Sequence, residues 1–365
     1  MRNQSGAVCH PDMLARFESD LDALALIDGA TGAHITRGQL LSRAAEIADQ
    51  LALPAGSLLP LQLPNSADFV ATFIAALKKR LVVMPIDRDM PRVEVDAVLA
   101  HFGKPVLPRE ARMIKLTSGS TGKPKGIVAS EANLIADCEN ICSTMGITPD
   151  DLNLGAIPFS HSYGFSNLVT PLLLQGTPIV ISNDYLPESL LALSNRYRCT
   201  VAPLIPMVYE HLSQRLETIR TFISAGAPLS PSTSRRFRER FGADIHTFYG
   251  CSECGGITYD RAGAAVERGT VGSAMDGVSL SFTNNRLVIR GRNVSLGYLL
   301  DATTFVPFED GTFIADDLAH ERSVGEIVEI VLTGRASDLI NTAGKKVNPR
   351  EVEAVILQID GVRQA

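Results

Sequence analysis

Residues 116–126 read LTSGSTGKPKG. The run follows the apolar, strand-like stretch MIKL and gathers Gly119, Gly122 and Gly126, the hydroxyl residues Thr117, Ser118, Ser120 and Thr121, and Lys123 and Lys125 into one loop. Glycines let backbone N–H groups approach phosphate oxygens closely. The hydroxyls add donors and the lysines add positive charge. The spacing is not that of a Walker A loop, which needs Gly-Lys five residues after its first glycine; Pro124 and Ile127 stand five residues after Gly119 and Gly122.

Outward from this loop the pattern alternates helix and strand. Residues 37–53 carry apolar positions at helical spacing, and 66–79 follow a candidate N-cap, Ser66. LVVMPID (81–87) suits a buried strand, and 91–103 returns to helix with Pro91 at its start and Gly103 at its end. Further on, 152–159, 177–182, 200–206 and 221–226 read as strands, with helical patterns at 188–197 and 206–216 between them. Such alternation predicts an α/β fold with a largely parallel sheet. After about residue 265 the chain becomes rich in Gly, Val and turn signals, and Asn284-Asn285 links two strand-like runs, so 265–334 is expected to form a smaller, mostly antiparallel β-rich subdomain.

Composition narrows the function. Of 365 residues 45% are apolar and 20% charged, ample for a buried core. The net charge of −6 comes from mixed rather than clustered charges, which argues against a nucleic-acid partner. The start, MRNQSGAVCHPDMLARFESD, lacks a signal-peptide run, and no stretch of about 18 uncharged apolar residues predicts a membrane span. Six cysteines (Cys9, Cys138, Cys142, Cys199, Cys251, Cys254) are sparse. The Cys251/Cys254 pair has CxxC spacing without a second pair to complete a zinc site, so a reducing, cytoplasmic setting is expected.

The 116–126 loop resembles the phosphate loop of the adenylate-forming superfamily, which includes acyl-CoA synthetases, peptide-synthetase adenylation domains and firefly luciferase. Other segments resemble the superfamily's motifs in the same order: PFSHSYGF (158–165), SAGAPLS (224–230), YGCSE (249–253), GTVGSAMDGV (269–278), LVIRGRNVSLGY (287–298), DGTFIADDL (310–318) and the hinge-like TGRASDLINTAGKKVNPREVE (333–353). The resemblance implies a large AMP-binding domain at 1–334 with mixed, largely parallel sheets flanked by helices and the β-rich subdomain. It also implies a hinge at 335–338, centred on Ser337, and at 339–365 a remnant of a small C-terminal domain. Relatives continue beyond the position of Ala365 into a segment that carries a catalytic lysine.

The same resemblance assigns roles. Thr117, Ser118, Gly119, Ser120, Thr121, Gly122 and Lys125 would handle phosphates. Ala225, Gly226, Ala227 and Pro228 would line the adenine, and Tyr249 would stack on it beside Gly250 and Cys251. Ser252 would contact phosphate, Asp317 the ribose and Arg335 the ribose and phosphate. Magnesium would sit on Thr121 and Glu253, as suits an ion that takes hard oxygen ligands. His161, Tyr163, Phe165, Ser166 and the run Cys254, Gly255, Gly256, Ile257 would form the acyl site. Thr121, Lys125, His161 and Glu253 would carry the catalysis. Three positions depart from the pattern: Ala315-Asp316 replaces Thr-Gly before Asp317, and Ser337 stands where an Asp or Lys is usual.

The expected activity is ATP-dependent conversion of a carboxylic acid to acyl-AMP with release of pyrophosphate. A transfer to coenzyme A or to the phosphopantetheine thiol of an acyl or peptidyl carrier protein would follow. Amino-acid-activating relatives hold the substrate ammonium with an Asp in the segment matching 158–165; this sequence has no acid there, so the resemblance implies a fatty or aryl acid rather than an amino acid. Two further readings stay open: a non-catalytic nucleotide or acyl-adenylate binder, and the adenylation domain of a larger synthetase.

Overall fold

The computed structural model describes residues 12–118, 124–338, 340–342, 345–347, 349–356, 359 and 361–362. Among these, nine strands form one sheet whose central members run parallel: Leu24–Asp28, Ile179–Ile181, Asn153–Gly155, Val201–Leu204, Thr221–Ser224 and Ile245–Cys251. The antiparallel strands His34–Thr36 on one edge and Gly255–Tyr259 and Ser273–Ala274 on the other complete it. A six-stranded sheet carries the glycine-rich loop between Ala111–Ser118 and Pro124–Ser130, which pair antiparallel. A four-stranded antiparallel sheet follows from Ser279–Thr283, Arg286–Arg290, Thr312–Val324 and Ile327–Arg335.

The helices form where the sequence signals them. Ser66 caps helix Ala67–Lys78 by accepting from Phe69 N at 3.1 Å, and Ser130 with Asn133 makes a capping box at the start of helix Glu131–Met145. The first sheet's core reaches the second through aromatic contacts: Phe69 against Phe159 and Phe73 against Phe165, with ring centroids 5.6 and 4.9 Å apart. At Asn284 and Asn285 both φ angles are positive, the geometry of a tight hairpin between strands 279–283 and 286–290.

Three sequence expectations change in detail. Within 152–159 only Asn153–Gly155 is strand, because Pro158 begins the turn into the helix that starts at Ser162. The helix expected over 206–216 ends at His211; Leu212, Leu216 and Ile219 are still buried, but from extended and turn backbone. The strands of 265–334 serve three sheets. Ser273–Ala274 edges the nine-stranded sheet, while Gly297–Leu299 extends the six-stranded one by pairing antiparallel onto strand 124–130, and Phe305–Pro307 pairs antiparallel onto Gly297–Leu299 in turn. None of the described helices is long and apolar enough to cross a membrane.

Candidate active site

The parallel strands of the large sheet deliver loops to one end, where ligands bind in open α/β sheets. Strand 221–224 ends in Ala225–Leu229, with Gly226 at φ 83°, and strand 245–251 ends in Cys251–Ser252. These loops wall a cavity of about 550 Å³. Ala225, Gly226, Ala227, Pro228, Tyr249 and Gly250 line it, joined by Cys251, Ser252, Asp317 and Arg335. Its other end is formed by His161, Tyr163, Ser166 and Gly255. Segments far apart in sequence therefore meet in one space, with the candidate nucleotide residues on one wall and candidate acyl residues on another.

The nucleotide wall is tied across two sheets. Tyr249 Oη donates to Asp317 Oδ2 at 2.8 Å, and Arg335 Nε lies 3.6 Å from Asp317 Oδ1. Burial and the Asp317 charge push the Tyr249 phenol up, so it keeps its proton and remains a donor. Thr247 Oγ1, in the same wall, is buried without a hydrogen-bond partner among the described residues. A buried orphan polar atom facing a cavity suits a polar ligand edge. Successive side chains on a strand alternate faces, and Asp316 accordingly turns from Asp317 toward Ser337, whose hydroxyl donates to it. Ser337, expected at the hinge, is thus held by Asp316.

Glu253, half-buried, accepts from Tyr298 Oη at 2.7 Å, and Lys125 Nζ lies 5.7 Å from the centroid of the Tyr298 ring. Burial and Glu253 raise the Tyr298 phenol, which fixes it as the donor. An oriented carboxylate of this kind fits magnesium, which takes one or two carboxylates alongside phosphates. Lys125 is register partner to Thr117 at the base of the loop. Gly119, Ser120, Thr121 and Gly122 lie outside the described residues, and for Ser118 only the backbone is described. Behind the loop, Lys115 Nζ donates to Ser252 O at 3.2 Å, and Ser162 Oγ donates to Ser252 Oγ at 2.9 Å.

The acyl end differs in part from the sequence expectation. His161 caps the short helix Ser162–Gly164, accepting from Tyr163 N at its Nδ1. It opens toward solvent, yet the enclosing wall lowers its pKa below the usual histidine value, with Asp87 opposing. Tyr163 turns its hydroxyl inward, donating to Leu204 O and Ile223 O. Phe165 and Ile257 do not reach the cavity: both are fully buried in the core, Phe165 against Phe73. Cys254 and Gly256 also stand behind the wall, both held by Asn293 Nδ2, which donates to Cys254 O and Gly256 O.

The two glycines expected to leave the pocket roomy instead admit neighbours. A methyl group on Gly255 (φ 70°) would overlap the Asp137 carboxylate, and one on Gly256 would come within 2.6 Å of Met275 Sδ. Asp137, which stands behind Ser166 and Gly255, was not among the residues expected from the sequence. Its signal was a carboxylate on the apolar stripe Leu134, Cys138, Ile141, Met145 of helix 131–145. Tyr298 was missed as well, although its segment had been singled out.

Residues 102–299, more than half of the chain, match the family described as AMP-binding enzyme. The chain belongs to the AMP-binding enzyme family. A feruloyl-CoA synthase from Amycolatopsis is 28% identical over 344 residues, 86% of this AMP-binding chain and 66% of that protein. A 2-succinylbenzoate–CoA ligase from Bacillus pumilus is 27% identical over 269 residues, 69% of this chain and 54% of its own length. The chain therefore spans less than two thirds of these relatives. Among solved structures, the o-succinylbenzoate CoA synthetase MenE from Bacillus subtilis, in complex with an acyl-adenylate intermediate, superposes with a TM-score of 0.84 at 21% identity. That match covers 97% of this chain and 84% of MenE. ATP-bound MatB from Rhodopseudomonas palustris gives 0.82 at 24% identity over 96% and 84% of the two chains. These likenesses confirm the α/β fold of the AMP-binding family, with its mixed sheets and β-rich region.

Proposed function

We propose that this AMP-binding chain activates a fatty or aryl carboxylic acid with ATP, forming acyl-AMP and pyrophosphate, and that the acyl group then passes to coenzyme A or a carrier-protein thiol. The observation that carries this reading is the single cavity in which Tyr249, Asp317 and Arg335 meet His161, Ser166 and Gly255. The relatives' names, feruloyl-CoA synthase and medium-chain fatty-acid–CoA ligase among them, support the substrate range.

The chemistry needs no side-chain nucleophile. A substrate carboxylate oxygen attacks the α-phosphorus, the bond to the β-phosphate oxygen breaks and pyrophosphate leaves. Two anions must approach, so the reaction depends on groups placed to offset their repulsion. Lys125 and the 117–122 loop would take the phosphates, and Tyr249, Asp317 and the 225–228 loop would hold the nucleoside. Magnesium, held by Glu253 with Thr121 as second ligand, would neutralise phosphate charge. Tyr298 aims the Glu253 carboxylate. His161, neutral at physiological pH, could stand beside the acid without adding charge. We further propose that 335–338 acts as a hinge, with the following residues belonging to a small second domain.

The test is ATP–pyrophosphate exchange over a panel of fatty, aryl and amino acids. Exchange dependent on fatty or aryl acids is expected. Exchange with amino acids alone would overturn the substrate class, and ATP binding without exchange for any acid would make the chain a non-catalytic binder.

A further inference from the structure

Behind the acyl end of the cavity, Ser166 Oγ donates to Asp137 Oδ2 at 2.6 Å, and Gly256 N donates to Asp137 Oδ1 at 2.8 Å. Asp137 is 3% exposed and Ser166 2% exposed. Ser166 lies on a π-helical turn, Phe165–Val169, set within the helical run 162–175. Such turns re-aim side chains and are common at functional sites. Gly255, the cavity residue in front of Asp137, has no side chain to intervene.

A serine hydroxyl has one proton and two lone pairs. Burial raises the Asp137 carboxyl, opposed by the Lys115 charge and by the hydrogen bonds from Ser166 and Gly256; with the carboxylate ionised the Ser166 proton is committed to it, and what Ser166 offers the cavity is acceptor capacity. Oδ1 is bound by a backbone N–H that cannot reverse its polarity, and this fixes which carboxylate oxygen faces Ser166. We propose that the acyl site reads a hydrogen-bond-donating substituent, a hydroxyl or amino group, on the substrate acid through Ser166 Oγ, held in its accepting orientation by Asp137. This rests on the function proposed above and narrows its substrate class. Ser166 is the specificity-determining contact and Asp137 its positioning residue.

The experiment compares pyrophosphate exchange on matched acids: 3- and 4-substituted benzoates and cinnamates, and ω-substituted chains from butanoate to octanoate, each as the hydroxy, amino and methyl form. The wild type should favour a donor-bearing acid over its methyl counterpart by roughly tenfold or more in kcat/KM, because a site built to bond a hydroxyl rejects the analogue lacking it. The hydroxy and amino arms distinguish the two donors. Asp137→Asn gives a signature that a structural role would not produce. Its amide oxygen must still accept from Gly256 N, so its NH₂ faces Ser166. Ser166 then accepts from the amide and turns its proton into the cavity. The preference should shift toward methoxy or keto acids, which accept. Ser166→Ala should abolish both preferences. Wild-type exchange indifferent to the substituent overturns the inference alone, with no variant required. So does an Asp137→Asn protein, shown folded by its melting transition, that loses rate equally for every acid. Absence of exchange with all acids overturns the functional reading and this inference with it.

Discussion

At the candidate nucleotide wall the charged pair Arg335–Asp317 lies toward the cavity rim. The Arg335 side chain is 58% exposed and that of Asp317 19%, and both belong to strands that pair in register. At the candidate acyl end Asp137, Ser166 and Cys254 are almost fully buried, and each rests on a different element. Charged pairs at a wet rim contribute little to stability, whereas a buried polar group that loses its partner costs the full desolvation penalty. One wall should therefore lose function on substitution while remaining folded, and the other should lose both.

The largest expected effect tests the first half of this contrast. Glu253→Ala should lower pyrophosphate exchange by roughly 10²–10³, the usual loss when one electrostatic contact to developing charge is removed. AMP binding should persist, and the melting transition should move by less than about 1.5 kcal/mol, since only the Tyr298 hydrogen bond is given up. Equal loss of ATP use and AMP binding in folded protein would sink the magnesium assignment.

Gly255→Ala tests the second half. The new methyl meets the Asp137 carboxylate, and φ 70° is unfavourable for alanine. Denaturant titration should show about 2–4 kcal/mol of lost stability. A loss below about 0.5 kcal/mol would mean that the floor yields as readily as the rim. Smaller again is Tyr249→Phe, which removes the donor to Asp317. AMP should bind a few-fold more weakly, about 0.5–1.5 kcal/mol by calorimetry, with the melting point nearly unchanged because water and Arg335 can serve Asp317. A collapse in stability here would erase the distinction between the walls.

The smallest effect lies in pH. The His161 pKa is lowered in the folded chain, so the unfolded chain takes up the proton first as pH falls through the ordinary value of about 6.5. Stability should fall slightly with pH from there down to the folded-state value, and His161→Gln should remove that slope. A slope of opposite sign, or one that His161→Gln leaves unchanged, would show that the wall does not disfavour the charged ring.

The contrast also explains what the sequence could tell. The nucleotide wall was legible because its parts are contiguous: 225–228 and 249–252 are single loops at strand ends, where neighbouring residues share one environment. Asp317 could be placed despite its altered neighbours because a strand's alternation sends Asp316 the other way. The acyl floor was only half legible. A helix turns its residues through all directions, so within 163–166 Ser166 lines the cavity while Phe165 packs into the core. Asp137 lies about twenty residues before the His161 segment on a separate helix, and no linear motif connects it to Gly255.

Strand 124–130 lies between strand 111–118 and strand 297–299. The hairpin that carries the glycine-rich loop is complete by residue 130, yet its outer hydrogen-bonding edge meets its partner only when Gly297–Leu299 arrives. On the ribosome, at about 5–20 residues per second, the edge would wait for some ten to thirty seconds of synthesis. An unpaired edge is a template for any passing strand, so for that interval the hairpin strand beside the glycine-rich loop stays open to mispairing.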